Sequence, residues 1–232
     1  SFQSKGDYDR ALPLFEECLA KYKRVLGDDH PSTLASLNSV ADIYFSKGEY
    51  NRALPLYEDC LARRTRVLGP DHPDTLTTLN NLALSLDSKG EYDRALPLYE
   101  ECLEKRKHVL GDDHPSTIST LNNLANVYYA KGEYHTALSM FDECLAMRER
   151  VLGPDHHDTI ETKKMLDNTN IAWKLQQSQN QTQNAGRNKN KSKNKVYSSK
   201  HKRKYFQSRR HYRYSRKIKR TKKNKNNKKN KK

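Results

Sequence analysis

The sequence predicts an all-α solenoid, a right-handed superhelix of antiparallel helix pairs in which each pair packs on the next. Three observations predict it. The chain repeats itself every 42 residues without insertion or loss: Gly6, Gly48, Gly90 and Gly132 recur in step, as do Tyr8, Tyr50, Tyr92 and Tyr134. Within each period, two stretches carry apolar residues at helical rather than strand spacing. Glycine and an Asp-His-Pro or Asp-His-His run separate those stretches. A fixed period of this length implies a linear stack of supersecondary units and not a closed globule.

The first helix of a pair is exemplified by Pro115 to Lys131, where Leu121, Leu124, Ala125 and Tyr128 form one stripe. Gly132 ends it, because glycine tolerates the left-handed backbone that closes a helix. In the second helix Tyr134, Ala137, Leu138, Phe141, Cys144 and Leu145 form the buried stripe as far as Leu152, before Gly153. The loop from Asp155 to Thr159 starts the next unit, with Asp158 placed to cap its helix. Pro13, Pro55 and Pro97 fall in the first two turns of the second helices, where little hydrogen bonding is lost, so a mild distortion is expected and not a break. Ser139 takes that place in the last pair.

Equivalent positions give helices over 8–26, 32–47, 50–68, 74–89, 92–110, 116–131, 134–152 and 158–176. The repeat domain is therefore read as 1–176: a partial repeat 1–27, full repeats 32–69, 74–111 and 116–153, and a capping helix 158–176. Lys163, Asp167 and Asn170 stand in the last helix where Leu121, Ala125 and Tyr128 stood, giving it the polar outer face that a terminal unit needs. Met165, Leu166, Thr169, Ala172 and Trp173 keep one stripe for the preceding hairpin.

Charge divides the chain. Residues 1–170 carry all 28 acidic residues and 20 of the 44 basic ones; residues 171–232 carry the other 24. Residues 177–232, rich in Lys, Arg, Asn, Gln and Ser, hold too little apolar surface to offset the entropy of ordering and read as a disordered basic tail. Lys202, Arg203, Lys204, Arg209, Arg210, Lys217, Lys219 and Arg220 suit nucleic-acid phosphates, with Tyr197, Tyr205, Phe206, Tyr212 and Tyr214 suited to stacking on unpaired bases. The tail could equally lie against the acidic repeats or serve as a nuclear-import signal, and a shifted frame in AT-rich DNA would give similar residues. No apolar run is long enough to span a bilayer and no leader precedes the first helix, so a cytoplasmic protein is expected, nuclear if the tail directs it. The sequence opens at Ser1 inside a structural unit, which reads as a piece of a longer chain.

Leu37, Val40, Ala41, Tyr44, Gly48, Ala53 and Tyr57, with Cys60 at the small-residue position, resemble the tetratricopeptide signature. The 42-residue length, the loop Val67 to Pro73 and the helix segment Leu79 to Ala83 are similar to the variant found in kinesin light chains. The resemblance covers about residues 1–160 and implies an adaptor or scaffold that holds other proteins or peptides, among them kinesin heavy chain or cargo. Light chains carry a heptad coiled coil ahead of the repeats, and these residues contain none.

Catalytic chemistry finds no foothold. Cys18, Cys60, Cys102 and Cys144 lie one repeat apart at an inward-facing position, too far apart to share a metal, and read as small buried groups. His30, His72, His114 and His156 lack a second ligand and read as fixing the inter-repeat turn by a hydrogen bond across it. No phosphate loop, nucleophile elbow or zinc-binding run occurs. No catalytic residue, cofactor, metal, membrane contact or small-molecule substrate is expected.

The inner face of the curve is the candidate site, lined by the first helix of each pair. The resemblance to other tetratricopeptide domains assigns to it Ala35, Asn38, Asp42 and Phe45, then Thr77, Asn80, Leu84 and Asp87, then Ser119, Asn122, Asn126 and Tyr129. Asn38, Asn80 and Asn122 recur at one spot, and an amide offers two donors and an acceptor to an extended peptide. The same amides could instead bond between neighbouring repeats and hold the curvature.

Overall fold

The computed structural model describes residues 5–181 of the 232-residue chain, with side chains from residue 8. By packing, the chain divides into Ser1–Trp173, which holds the repeats, and Lys174–Lys232, whose described part continues a helix to residue 181. The helices are α1 (Lys5–Leu26), α2 (Pro31–Ser46), α3 (Tyr50–Leu68), α4 (Pro73–Ser88), α5 (Tyr92–Leu110), α6 (Pro115–Ala130) and α7 (Tyr134–Leu152), followed by α8 (157–181). The described residues contain no strand. The even-numbered helices open each pair and the odd-numbered ones complete it. Together they form a tetratricopeptide-type solenoid.

Each first helix starts one residue earlier than its spacing predicts, because its N-cap is histidine. Nδ1 of His30, His72 and His114 accepts the backbone N–H of Ser32, Asp74 and Ser116 at 3.1–3.2 Å, and proline fills the next position, where no donor is needed. An accepting Nδ1 requires the neutral ring with its proton on Nε2. The expectation of a bond across the turn is corrected: the histidine bond is local. Asp158 likewise does not cap α8; its N–H donates to His156 Nδ1 at 3.2 Å. The shorter side chain is not needed because the imidazole two residues upstream already reaches that donor.

Each first helix from α2 to α6 closes in a Schellman turn. At α4, the Gly90 N–H donates to Asp87 O at 2.8 Å and the Glu91 N–H to Leu86 O at 2.9 Å, with Gly90 at φ +84°. The second helices run unbroken through Pro13, Pro55 and Pro97.

From α1 to α7 every helix packs on its chain neighbours, and α2 also touches α4 as α4 touches α6. No comparable approach joins α3 to α5 or α5 to α7. The first helices therefore stand on the inner, crowded side of the bend. The core runs continuously along the stack through Val40, Tyr44, Ala53, Tyr57, Leu82, Ala83, Leu86, Tyr99, Leu124 and Val127. A second cluster recurs in every hairpin: Leu34, Leu37 and Cys60, then Leu76, Leu79 and Cys102, then Ile118, Leu121 and Cys144. The thiols of Cys60 and Cys102 lie 3.4 and 3.3 Å from the carbonyls of Leu34 and Leu76, and burial pushes all three of these thiols up from their ordinary pKa.

Cys18 departs from the expectation of a buried position. It is exposed, along with Phe15 and Tyr22 on the same helix, and among the described residues no first helix packs on it as α2, α4 and α6 pack on Cys60, Cys102 and Cys144. A chromogenic disulfide reagent added to the folded 232-residue chain should thus react rapidly at Cys18 alone. The other three thiols should respond only with unfolding, as followed by absorbance and peptide mapping.

Candidate partner-binding groove

The inner face is built from the exposed edges of α2, α4 and α6. Ala35, Thr77 and Ser119 are exposed, and the Thr77 and Ser119 hydroxyls donate back to Pro73 O and Pro115 O of their own helices. Asp42, Phe45, Asn80, Leu84, Asp87, Asn122, Asn126 and Tyr129 are half-buried, and Asn38 is buried.

The repeated asparagines hold adjacent repeats together through their oxygens. Thr78, Thr120 and Thr162 hydroxyls stand 3.3, 3.2 and 3.4 Å from Oδ1 of Asn38, Asn80 and Asn122, each one repeat earlier. The amide nitrogens divide. Nδ2 of Asn38 donates to Asp42 Oδ2 at 2.9 Å, whereas Nδ2 of Asn80 and Asn122 has no hydrogen-bond acceptor among the described residues. Both readings of these amides therefore describe different atoms of one side chain: the oxygen staples the stack and, in two of three copies, the NH2 is left to donate.

The third member of this seam escapes sequence reasoning. Arg64, Arg106 and Arg148 are buried on the second helices, and Nη1 of each donates to the next helix's first turn at Asp74 O, Ser116 O or Asp158 O, all at 2.8 Å. The same Nη1 reaches the Thr78, Thr120 and Thr162 hydroxyls at 2.6–2.8 Å. Their 42-residue spacing is the available signal, but an arginine near a helix C-terminus reads as solvated until its neighbour is known.

The three copies then diverge. Asp42 is the hub of the first: Tyr57 OH donates to Oδ1 at 2.6 Å and Asn81 Nδ2 at 3.1 Å. Burial raises the Asp42 pKa, and the Tyr57, Asn38 and Asn81 bonds pull it back. One repeat on, Leu84 replaces the acid, and the Tyr99 hydroxyl is buried without a partner among the described residues. Asp87 sits a turn further along α4, half-buried with no ion pair or side-chain hydrogen bond among the described residues. Its burial pushes its pKa up to about 6, and its charge adds to the burial that raises Tyr99. At the positions equivalent to Asp87 stand aromatic residues: Phe45 tilts against Tyr50 at 5.6 Å between ring centroids, and Tyr129 against Tyr134 at 5.5 Å. The groove thus offers an unpaired carboxylate between two aromatic pairs along the chain, with free amide donors at Asn80 and Asn122.

Lys202, Arg203, Lys204, Arg209, Arg210, Lys217, Lys219 and Arg220 lie outside the described residues. Among the described residues no group of three or more His, Cys, Asp and Glu could hold a metal ion, and no helix is long and apolar enough to cross a membrane.

Two stability measurements check this geometry. Tyr57→Phe should cost about 1–3 kcal/mol in denaturant unfolding by leaving Asp42 short of a donor, whereas Tyr99→Phe should be neutral or slightly stabilising because its hydroxyl has nothing to lose. The folded pKa of Asp87 lies above its unfolded value, so its contribution is most favourable at acid pH and is lost as pH rises through about 6. Asp87→Asn should accordingly melt higher than the parent above about pH 7 and converge with it near about pH 4.

The tetratricopeptide repeat family model matches residues 1–65, 35–108, 88–150 and 116–166. Among solved structures, the chain is similar to a Podosopora anserina protein described as a kinesin light chain with nearly identical TPR-like repeats. The TM-score is 0.64 at 26% identity, over 75% of this chain and 82% of that one. A single-substitution variant of that protein scores 0.65 at the same identity and coverage. The fold of BtubC (BKLC) from P. vanneervenii is also similar, with a TM-score of 0.65 at 24% identity over 73% of this chain and 68% of that one. No curated protein matches the sequence. The family match, continuous across the helix pairs, places this chain in the tetratricopeptide repeat family, and kinesin-light-chain-like repeat proteins are among the solved structures that it resembles.

Proposed function

We propose that the chain is a kinesin-light-chain-like adaptor whose inner face receives an extended segment of a partner protein. The observation that carries this reading is the pair of outward amide donors, Asn80 Nδ2 and Asn122 Nδ2, one repeat apart on adjacent first helices. Donors fixed by their own oxygens are pre-oriented, so little entropy is spent when they bond to the backbone carbonyls of an extended peptide. Leu84, Phe45 and Tyr129 supply apolar contact beside them, and the Asp42 network adds rigidity without offering a free donor. A curved row of helices presents a long open surface, which suits an unfolded segment better than a compact substrate. The similarity to kinesin light chain structures supports the adaptor class, and the partner is expected to be a protein of the motor or cargo side.

The test begins with a peptide selected from a random display library against the immobilised repeats, and compares affinities by calorimetry. Asn80→Asp with Asn122→Asp keeps an acceptor for Thr120 and Thr162 but removes both donors, and should weaken binding on the order of tenfold or more, at about 1 kcal/mol for each bond lost. Thr120→Val, which cuts the seam and unfixes the Asn80 amide without removing a donor, should lower the melting temperature and weaken binding less than the double variant does. Equal affinity for the double variant and the parent would count against the groove.

A further inference from the structure

We infer that the cleft between α7 and α8 is a receptor for the side chain of a tyrosine carried by a partner protein, separate from the groove residues described above. The cleft is open to solvent, measures about 430 Å³ and is lined by His135, Leu138, Ser139 and Asp142 of α7 and by Leu166, Asn170 and Trp173 of α8. The ligand is identified by two of the protein's own earlier junctions, which fill the same place with a tyrosine.

At the junction of α1 with α2, Tyr44 lies 4% exposed and donates its hydroxyl to Glu16 Oε1 at 2.7 Å. At the junction of α5 with α6, Tyr128 donates to Glu100 Oε1 at 3.0 Å. Between them, at the junction of α3 with α4, the buried Leu86 fills the place. Moved along by whole repeats, Tyr44 and Tyr128 fall on Asn170, and Glu16 and Glu100 fall on Asp142. The last junction therefore keeps the acceptor and loses the ring. Its walls persist too: Leu138 corresponds to Leu12, which packs in the same cluster as Tyr44, and Leu166 corresponds to the buried Val40, Leu82 and Leu124. Leu138 and Leu166 are only half-buried, as walls facing a vacated slot would be. Asp142 has no hydrogen-bond partner among the described residues.

A second substitution points to the same ligand. At the two tyrosine junctions a lysine and an acid pair across the helices: Lys47 meets Asp9 at 2.7 Å, and Lys131 meets Asp93 at 2.8 Å, while over the Tyr44 ring itself lies the Arg52 guanidinium at 4.1 Å. The corresponding pair at the last junction is Trp173 and His135, whose rings meet edge to face at 6.3 Å between centroids. An ion pair offers a ring no aromatic edge, whereas two aromatic rings at the mouth favour an arriving one through edge contacts. The slot thus offers apolar walls, aromatic flanks and a carboxylate at the rim for a phenolic hydroxyl, and its occupant is a tyrosine side chain inserted from outside.

Trp173 is the only tryptophan of the chain, so its emission reports this site directly. The full chain is titrated with N-acetyl-tyrosinamide, N-acetyl-phenylalaninamide and cyclohexanol, exciting tryptophan where tyrosine does not absorb. The expected result is a saturable change with the tyrosine compound, about three- to tenfold tighter than with phenylalanine, and none with cyclohexanol. Asp142→Ala should erase the tyrosine-over-phenylalanine preference. Asn170→Tyr should restore the internal pattern, raise the melting temperature and abolish the response. The inference is overturned by an absent or non-saturable response, by a cyclohexanol response as strong as the phenol's, or by a preference for tyrosine that survives Asp142→Ala. It is equally overturned by an Asn170→Tyr protein that melts below the parent or still responds, since a slot built for tyrosine must accept one.

Discussion

A guanidinium buried in the seam between one hairpin and the next is the constraint on which the rest of this structure depends. Arg64, Arg106 and Arg148 each leave water almost entirely, yet among the described residues meet no carboxylate in hydrogen-bond contact; their partners are carbonyls and threonine hydroxyls of the following helix, and Arg106 Nη2 also reaches back to Leu76 O of α4 at 3.4 Å. Burial pulls Arg106 below its ordinary pKa, which is the electrostatic cost of that position. Nε of Arg64 and Arg106 is buried without a partner among the described residues, so such a charge is tolerable only where the Nη1 donors find acceptors in fixed geometry, which restricts the rotation and spacing of the seam. Neutral packing alone would leave a helix pair free to slide by a fraction of a turn. Threonine passes the constraint to the asparagine of the previous repeat, and the first helices are thereby held on the inner side of the bend.

With the seam repeated, the side chains between seams are free to differ. Tyr57, Tyr99 and Phe141 occupy one buried position, and only Tyr57 has a partner for its hydroxyl among the described residues. Asp42, Leu84 and Asn126 likewise change from acid to alkyl to amide along the inner face. Asp87 is held half-desolvated without a counter-charge among the described residues. A uniform repeat would give every register of an extended peptide the same energy. Local differences of this kind give the face a direction and positions that are not interchangeable.

The same logic explains the last junction. α8 keeps buried threonines at Thr159, Thr162 and Thr169, of which Thr162 joins it to Arg148 and Asn122, while its other positions drift from the repeat pattern. Where a ring has become Asn170 and a lysine Trp173, the framework around them stays put because Arg148 still holds α8 by its first turn. A cleft can open there without loosening the stack.

Much of this is legible in the residues themselves. Periodicity of 42 residues determines the number, type and order of helices, and the second helices from Tyr50, Tyr92 and Tyr134 begin and end where the spacing places them, because glycine, proline and apolar stripe act through local backbone geometry that needs no neighbour. The roles of His30 and its counterparts, the exposure of Cys18, and the seam arginines are not legible, since each depends on which atoms come within about 3 Å once the chain has folded. Asn80 shows the division most plainly: its recurrence marks a position of interest, but only packing assigns its oxygen to Thr120 and leaves its nitrogen free. What the sequence alone determined was the repeating unit; what tertiary structure decided was the partner of each polar atom, because hydrogen bonds between repeats join residues 40 positions apart, and no local pattern encodes their distance.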